Sequence, residues 1–204
     1  MLKKGAMFGL DARIALTIFG ALSIISGAAL YSAIQNSKVT ALLTETREVL
    51  KAVEQYYLDT GVMPPRSSSS TIAYNSYNLV ENVDSIAGWK GPYLPFTINP
   101  TSTDQQKPIQ GSIFGGYKLL GRSKNDVWGG TSGIDAVLPS TCTGASEPCG
   151  VWVHTLAPNC SVAEALDKQL DTTLDYKTGK MRIYKTSPSC YIYILGDMVA
   201  EPTS

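Results

Sequence analysis

The sequence predicts an α+β protein: one long N-terminal helix, apolar in its first half and amphipathic in its second, packed on an antiparallel β-sheet domain. Three observations predict it. Residues 14 to 34, IALTIFGALSIISGAALYSAI, run for 21 positions without a charge, about 31 Å of helix at ~1.5 Å per residue. From Val39 to Tyr57 apolar residues return at three- and four-residue steps, the spacing of a helix face. Beyond Pro64-Pro65 the chain is rich in Gly, Ser, Thr, Pro, Asn and Tyr, the make-up of strands and loops.

The apolar run matches the ~30 Å hydrocarbon core of a bilayer, so it reads as a spanning helix. Lys3 and Lys4 precede it. Basic residues favour the cytoplasmic side, which sends the C-terminal bulk outward. A cleaved secretory signal would have a shorter apolar core and then a small-residue cut. Here the helical pattern continues without a break. Val39, Leu42, Leu43, Val49, Leu50, Val53, Tyr56 and Tyr57 make one stripe, with Thr44, Glu45, Arg47, Glu48, Lys51 and Glu54 filling the wet positions. Asp59-Thr60-Gly61 and then Pro64-Pro65 end the helix. Its expected span is about Met7 to about Leu58.

Two charges stand at the edge of the apolar run. A carboxylate near hydrocarbon is costly unless paired, which makes Asp11 a functional candidate. Arg13 has a stem long enough to snorkel toward headgroups. Gly20, Ser23 and Gly27 are small enough to admit close helix packing.

In the exported part, Ser67 to Ser70 reads as a loop tip and Val151 to His154 as a strand. Val162 to Leu170 reads as a helix with Ser161 as N-cap. Thr178-Gly179 is a turn before a strand at 180–184, and a second strand covers 191–195. The four cysteines, Cys142, Cys149, Cys160 and Cys190, are an even set in a region placed outside the cytoplasm, which predicts two disulfides. Cys160 stands before the helix and Cys190 before the last strand, a pair that would tie this unit together, and Cys142 and Cys149 flank TGASEP, a small disulfide loop. Three pairings remain open.

Several function classes are disfavoured. Seventeen basic and 17 acidic residues balance, and no basic patch is present, so no nucleic-acid partner is expected. There is no C-x-x-C pair and a single histidine, so no zinc or other metal is expected. Gly115-Gly116 and Gly129-Gly130 lack phosphate-loop spacing. His154 alone makes no triad and reads as a structural residue in a strand. The chain therefore reads as a protein without a cofactor and not as an enzyme.

The N-terminal segment Lys3-Lys4-Gly5-Ala6-Met7-Phe8-Gly9-Leu10-Asp11 with the apolar helix behind it resembles the class III signal of type IV pilins and type II secretion pseudopilins. The resemblance implies cutting after Ala6, methylation of Met7, and Asp11 as the acid at mature position five. The family usually has Gly before the cut and Glu at position five; this chain has Ala6 and Asp11. Cutting after Gly5 would put the acid at position six, so the Ala6–Met7 bond is preferred. Tyr56 to Gly61 with Pro64 looks like the pseudopilin helix end. Trp89-Lys90-Gly91-Pro92-Tyr93-Leu94 and Asp126-Val127-Trp128-Gly129 look like two motifs of the major pseudopilin, with Val127 where that family has Pro. The resemblance covers roughly the first 130 residues. The remainder departs from it, and the calcium site of the major pseudopilins is not carried over; Asp126 and Asp135 stay open as ligands beside their reading as turn formers in a Gly-rich loop.

The resemblance implies a domain order: leader 1–6, membrane and assembly helix 7–35, exported pilin-like domain 36–204. It implies a structural subunit, minor pilin or pseudopilin, of a type IV pilus-like or secretion filament. Its partners would be copies of itself or other pilins, a prepilin peptidase, an inner-membrane assembly platform and membrane lipid. Its location would be the inner membrane, N-terminus cytoplasmic, with a periplasmic domain, and then the filament. The competing expectation is an uncleaved, single-pass anchor for a periplasmic binding or adhesion domain, which gives Asp11 no role.

Overall fold

A computed structural model describes residues 5–68, 72–99, 108–111, 116–123, 127–130, 149–186 and 189–200. The chain divides into two units, residues 1–38 and 39–204. Helix α1, Gly5–Thr60, begins in the first and ends in the second. It runs two residues further at each end than the periodicity marks. Gly61 stops it at φ +73°, its N–H still reaching the Tyr57 carbonyl at 2.8 Å, the left-handed ending that glycine takes without strain.

The second unit is α+β, as the composition predicts. Seven strands are described: β1 Ala73–Tyr74, β2 Thr97–Ile98, β3 Ile109–Gln110, β4 Gly116–Ser123, β5 Cys149–Leu156, β6 Met181–Thr186 and β7 Ser189–Val199. They form one sheet in the order β2-β3-β4-β5-β7-β6, with β1 also on β4, and every pairing is antiparallel. Helix α2, Cys160–Asp171, connects β5 to β6.

Side-chain alternation gives the sheet two unlike faces. On one, Leu119, Val153 and Ile194 follow one another across β4, β5 and β7. Val49, Ala52, Val53 and Tyr56 of α1 join the part of this face built by Tyr117, Leu119, Val151 and Val153. Val39, Leu42 and Leu43 join Val162, Ala163 and Leu166 of α2 over Met181, Ile183, Ile192 and Ile194. The amphipathic stripe of α1 is thus buried where its periodicity puts it. Tyr57 is the exception, at 40% exposure.

Glu45, assigned by pattern to the wet side, is 4% exposed. Its Oε2 accepts the Tyr117 hydroxyl at 2.6 Å. Burial and this carboxylate push the Tyr117 hydroxyl pKa up. A buried carboxylate needs such a donor, and it ties α1 to β4.

On the opposite face Trp152, Leu120 and Tyr193 carry Trp128. Trp128 meets Trp152 at 5.0 Å and Tyr193 at 5.2 Å, both edge-on, a favourable ring geometry. The residues after it cover the open edge of β6. Gly130 N–H donates to the Ile183 carbonyl at 2.7 Å, and Lys185 N–H donates to the Gly130 carbonyl at 2.8 Å. An uncovered strand edge invites pairing with another chain. Gly129, at φ +112°, has the Ile183 carbonyl 3.0 Å from where a Cβ would sit, so only glycine passes there.

Ser67, read from the sequence as part of a loop tip, is buried, its N–H bonded to the Ala73 carbonyl at 2.8 Å. Ser69 and Ser70 lie outside the described residues, as do Asp126 and Asp135.

Candidate assembly site

The first unit is helical throughout its described residues. The Ala6–Met7 bond lies near the start of α1 and Asp11 one turn further on. Over residues 14–34 the helix carries no charge, and Leu16, Phe19 and Ile24 are 70–75% exposed. Hydroxyl groups within it bond back to the helix, Thr17 Oγ1 to the Arg13 carbonyl and Ser23 Oγ to the Phe19 carbonyl, both at 2.8 Å. Such back-bonding satisfies polar atoms that hydrocarbon would leave bare. Gly9, Gly20 and Gly27 have no neighbouring atom within 4 Å of a Cβ position. By length and composition α1 holds one segment able to cross a membrane.

Where α1 ends, the two motifs singled out in the sequence meet. Asp59 Oδ2 accepts the Tyr93 hydroxyl at 3.0 Å, and Asp59 Oδ1 lies 3.2 Å from Lys90 Nζ. Tyr93 stands edge-on to both Tyr56 and Trp89, and Trp89 Nε1 donates to the Asn78 carbonyl at 2.6 Å. Gly88, at φ +81°, passes so close to the helix end that a Cβ would come within 2.6 Å of the Asp59 carbonyl. The W-x-G-P-Y-L run is therefore a clasp on the helix terminus. Next to it Asp84 accepts from Asn75, Tyr77 and Asn78. Sequence reading missed this hub. Its only signal was the density of Asn and Asp between residues 75 and 84.

The cysteine region is settled in part. Cys160 and Cys190 are bonded, Cα atoms 5.2 Å apart, joining the start of α2 to β7. Cys149 is disulfide-bonded too; Cys142 lies outside the described residues. The N-cap of α2 is Asn159, whose Oδ1 accepts the Val162 N–H at 2.9 Å. Ser161, the residue expected in that role, donates to the same Oδ1 from inside the helix.

At its other end α2 is pinned by carboxylates. Asp171 accepts the Lys180 and Met181 N–H groups at 2.7 and 2.9 Å. Asp167 Oδ2 accepts the Asp175 N–H at 2.9 Å. Asp175 is itself held below the usual carboxylate range by hydrogen bonds from Thr178 and the Lys177 N–H. Asp167 is fully buried. Burial pushes its carboxyl up from 3.8 to about 6; Asp171 and Asp175 add to the rise, while the Asp175 N–H and Arg182 oppose it.

Raised above its unfolded value, this acid holds a proton in the folded state where the unfolded chain has lost it. Its contribution to stability is full below about pH 4 and is lost as pH rises through about 6. Asp167→Asn should remove that dependence. The melting temperature of the variant, measured relative to wild type, should climb between pH 4 and 6 and then level off. A constant difference across that window would contradict the assignment.

His154 projects from β5 between Tyr191 at 5.6 Å and Tyr193 at 4.6 Å, ring to ring. Among the described residues no group of three or more His, Cys, Asp or Glu is arranged to hold a metal ion. The fold and these sites define an α+β protein with one helix long and apolar enough to cross a membrane and a disulfide-tied domain. No protein-family model, curated protein or solved structure matches the chain.

Proposed function

We propose that this chain is a structural subunit of a pilus-like or secretion-type filament, cut between Ala6 and Met7 and assembled through the first half of α1. One observation carries the reading: a single helix is exposed and apolar over residues 14–34 and buried by its stripe over residues 39–56. A cleaved secretory signal has no reason to continue into the core helix of the mature domain. The disulfide between Cys160 and Cys190 supports an oxidising compartment, and Lys3 and Lys4 support a cytoplasmic N-terminus.

In this reading a membrane peptidase removes residues 1–6, and the new amine of Met7 pairs with Asp11 of a neighbouring copy. The apolar segments leave lipid for a shared bundle. The pair offsets the burial of both charges there, and the exported domains cover the outside. The identity of the mature N-terminus tests it, because an uncleaved anchor keeps Met1.

A further inference from the structure

Two charges border the apolar surface of α1 without partners. Asp11 and Arg13 are exposed, and among the described residues neither side chain is paired. They do not serve each other. Two residues along a helix is a turn of about 200°, so their side chains leave from opposite faces. The Arg13 carbonyl accepts the Thr17 hydroxyl at 2.8 Å. Ile14 and Leu16 follow at once, both more than half exposed. Whatever covers that apolar surface also draws these charges out of water, which is unfavourable unless each meets its opposite.

We propose that Arg13 of one copy pairs with Asp11 of the next, between parallel helices, making the contact between copies directional. The geometry carries this. In a two-fold contact one face meets itself, and the Arg13 face would then meet a like charge. The Asp11 face of one helix fits the Arg13 face of another, and each copy keeps a face of either sign for a further neighbour. Such a heterologous contact repeats instead of closing. The axial rise between the two residues is about 3 Å, so parallel copies need little stagger. A carboxylate has two oxygens, which lets Asp11 receive this guanidinium as well as the Met7 amine. The inference rests on the filament reading and adds a second cation and a direction to it.

The test uses the full chain in membranes, as wild type, Arg13→Lys and Arg13→Gln. Arg13→Lys keeps the charge and supplies a primary amine that a zero-length carbodiimide can couple to a carboxylate. With light and heavy-isotope copies mixed, the expected product is a ladder of dimers, trimers and longer species. Its linked peptides should join residue 13 of one copy to Asp11 of another. Arg13→Gln should lower the assembled fraction about tenfold. If Arg13→Gln assembles as wild type does, or Arg13→Lys gives dimers only or no such link while it assembles, the pairing is wrong and the filament reading stands. If Arg13→Gln loses only its retention on anionic-lipid vesicles, Arg13 serves headgroups and the pairing is likewise overturned. Failure of the wild type to assemble overturns the filament reading and this inference with it.

Discussion

Asp11→Asn is expected to leave processed protein in the membrane and to abolish assembly. In the proposed reading cutting precedes assembly and acts at Ala6–Met7, so the variant should lose its leader. The loss falls on the next step. In the bundle the Met7 amine, and the Arg13 guanidinium beside it, would have no anion to meet, and an unpaired buried charge costs several kcal/mol. At about 1.4 kcal/mol per tenfold, a cost of ~3 kcal/mol lowers the assembled fraction more than a hundredfold. Asp11→Glu keeps the charge and adds one methylene, and should assemble. Fractionation of membranes against sheared filaments separates these outcomes. Normal filaments from Asp11→Asn would remove Asp11 from the account and, with it, the argument for cutting at Ala6–Met7.

The second large effect belongs to the second unit, residues 39–204. Cys160 and Cys190 close a loop with a sequence separation of 30. In the chain-entropy model that closure contributes about 3 to 4 kcal/mol. Cys190 is fully buried among Ile183, Ile192 and Leu166, so its replacement also leaves a small void. Cys160→Ala with Cys190→Ala should lower the melting temperature by roughly 10 °C, at ~2–4 °C per kcal/mol for a domain of this size. Calorimetry of the oxidised wild type and the double variant measures it. A change within about 2 °C would mean that the bond closes a loop already fixed by packing.

The long helix was legible because two independent signals agree along it. An uncharged run as long as a bilayer is thick flows into a stripe at helical spacing, and local pattern suffices for both. Glu45 was misjudged because the reason for its burial, Tyr117, lies 72 residues away. No periodicity contains that pairing. The N-cap of α2 was missed by two positions because Asn159 and Ser161 are both good caps, and only the backbone decides which stands outside the helix. The Trp motifs were legible as motifs. What they do was not: the clasp of Trp89 and Tyr93 on Asp59, and the cover that Gly129-Gly130 lays along β6, are contacts between distant parts of the chain. The Cys160–Cys190 pairing needed the fold as well, since spacing alone leaves three connectivities. Asp11 stood out for a simpler reason: it is an acid at the edge of a 21-residue uncharged run, and an acid is unfavourable wherever such a run enters hydrocarbon.

The most direct measurement is the intact mass and N-terminal peptide of the protein recovered from sheared filaments. The account predicts a chain that begins at an N-methylated Met7, with residues 1–6 absent. Recovery of chains that retain Met1, or of the protein only as an unassembled membrane species with Lys3 and Lys4 still present, would contradict it.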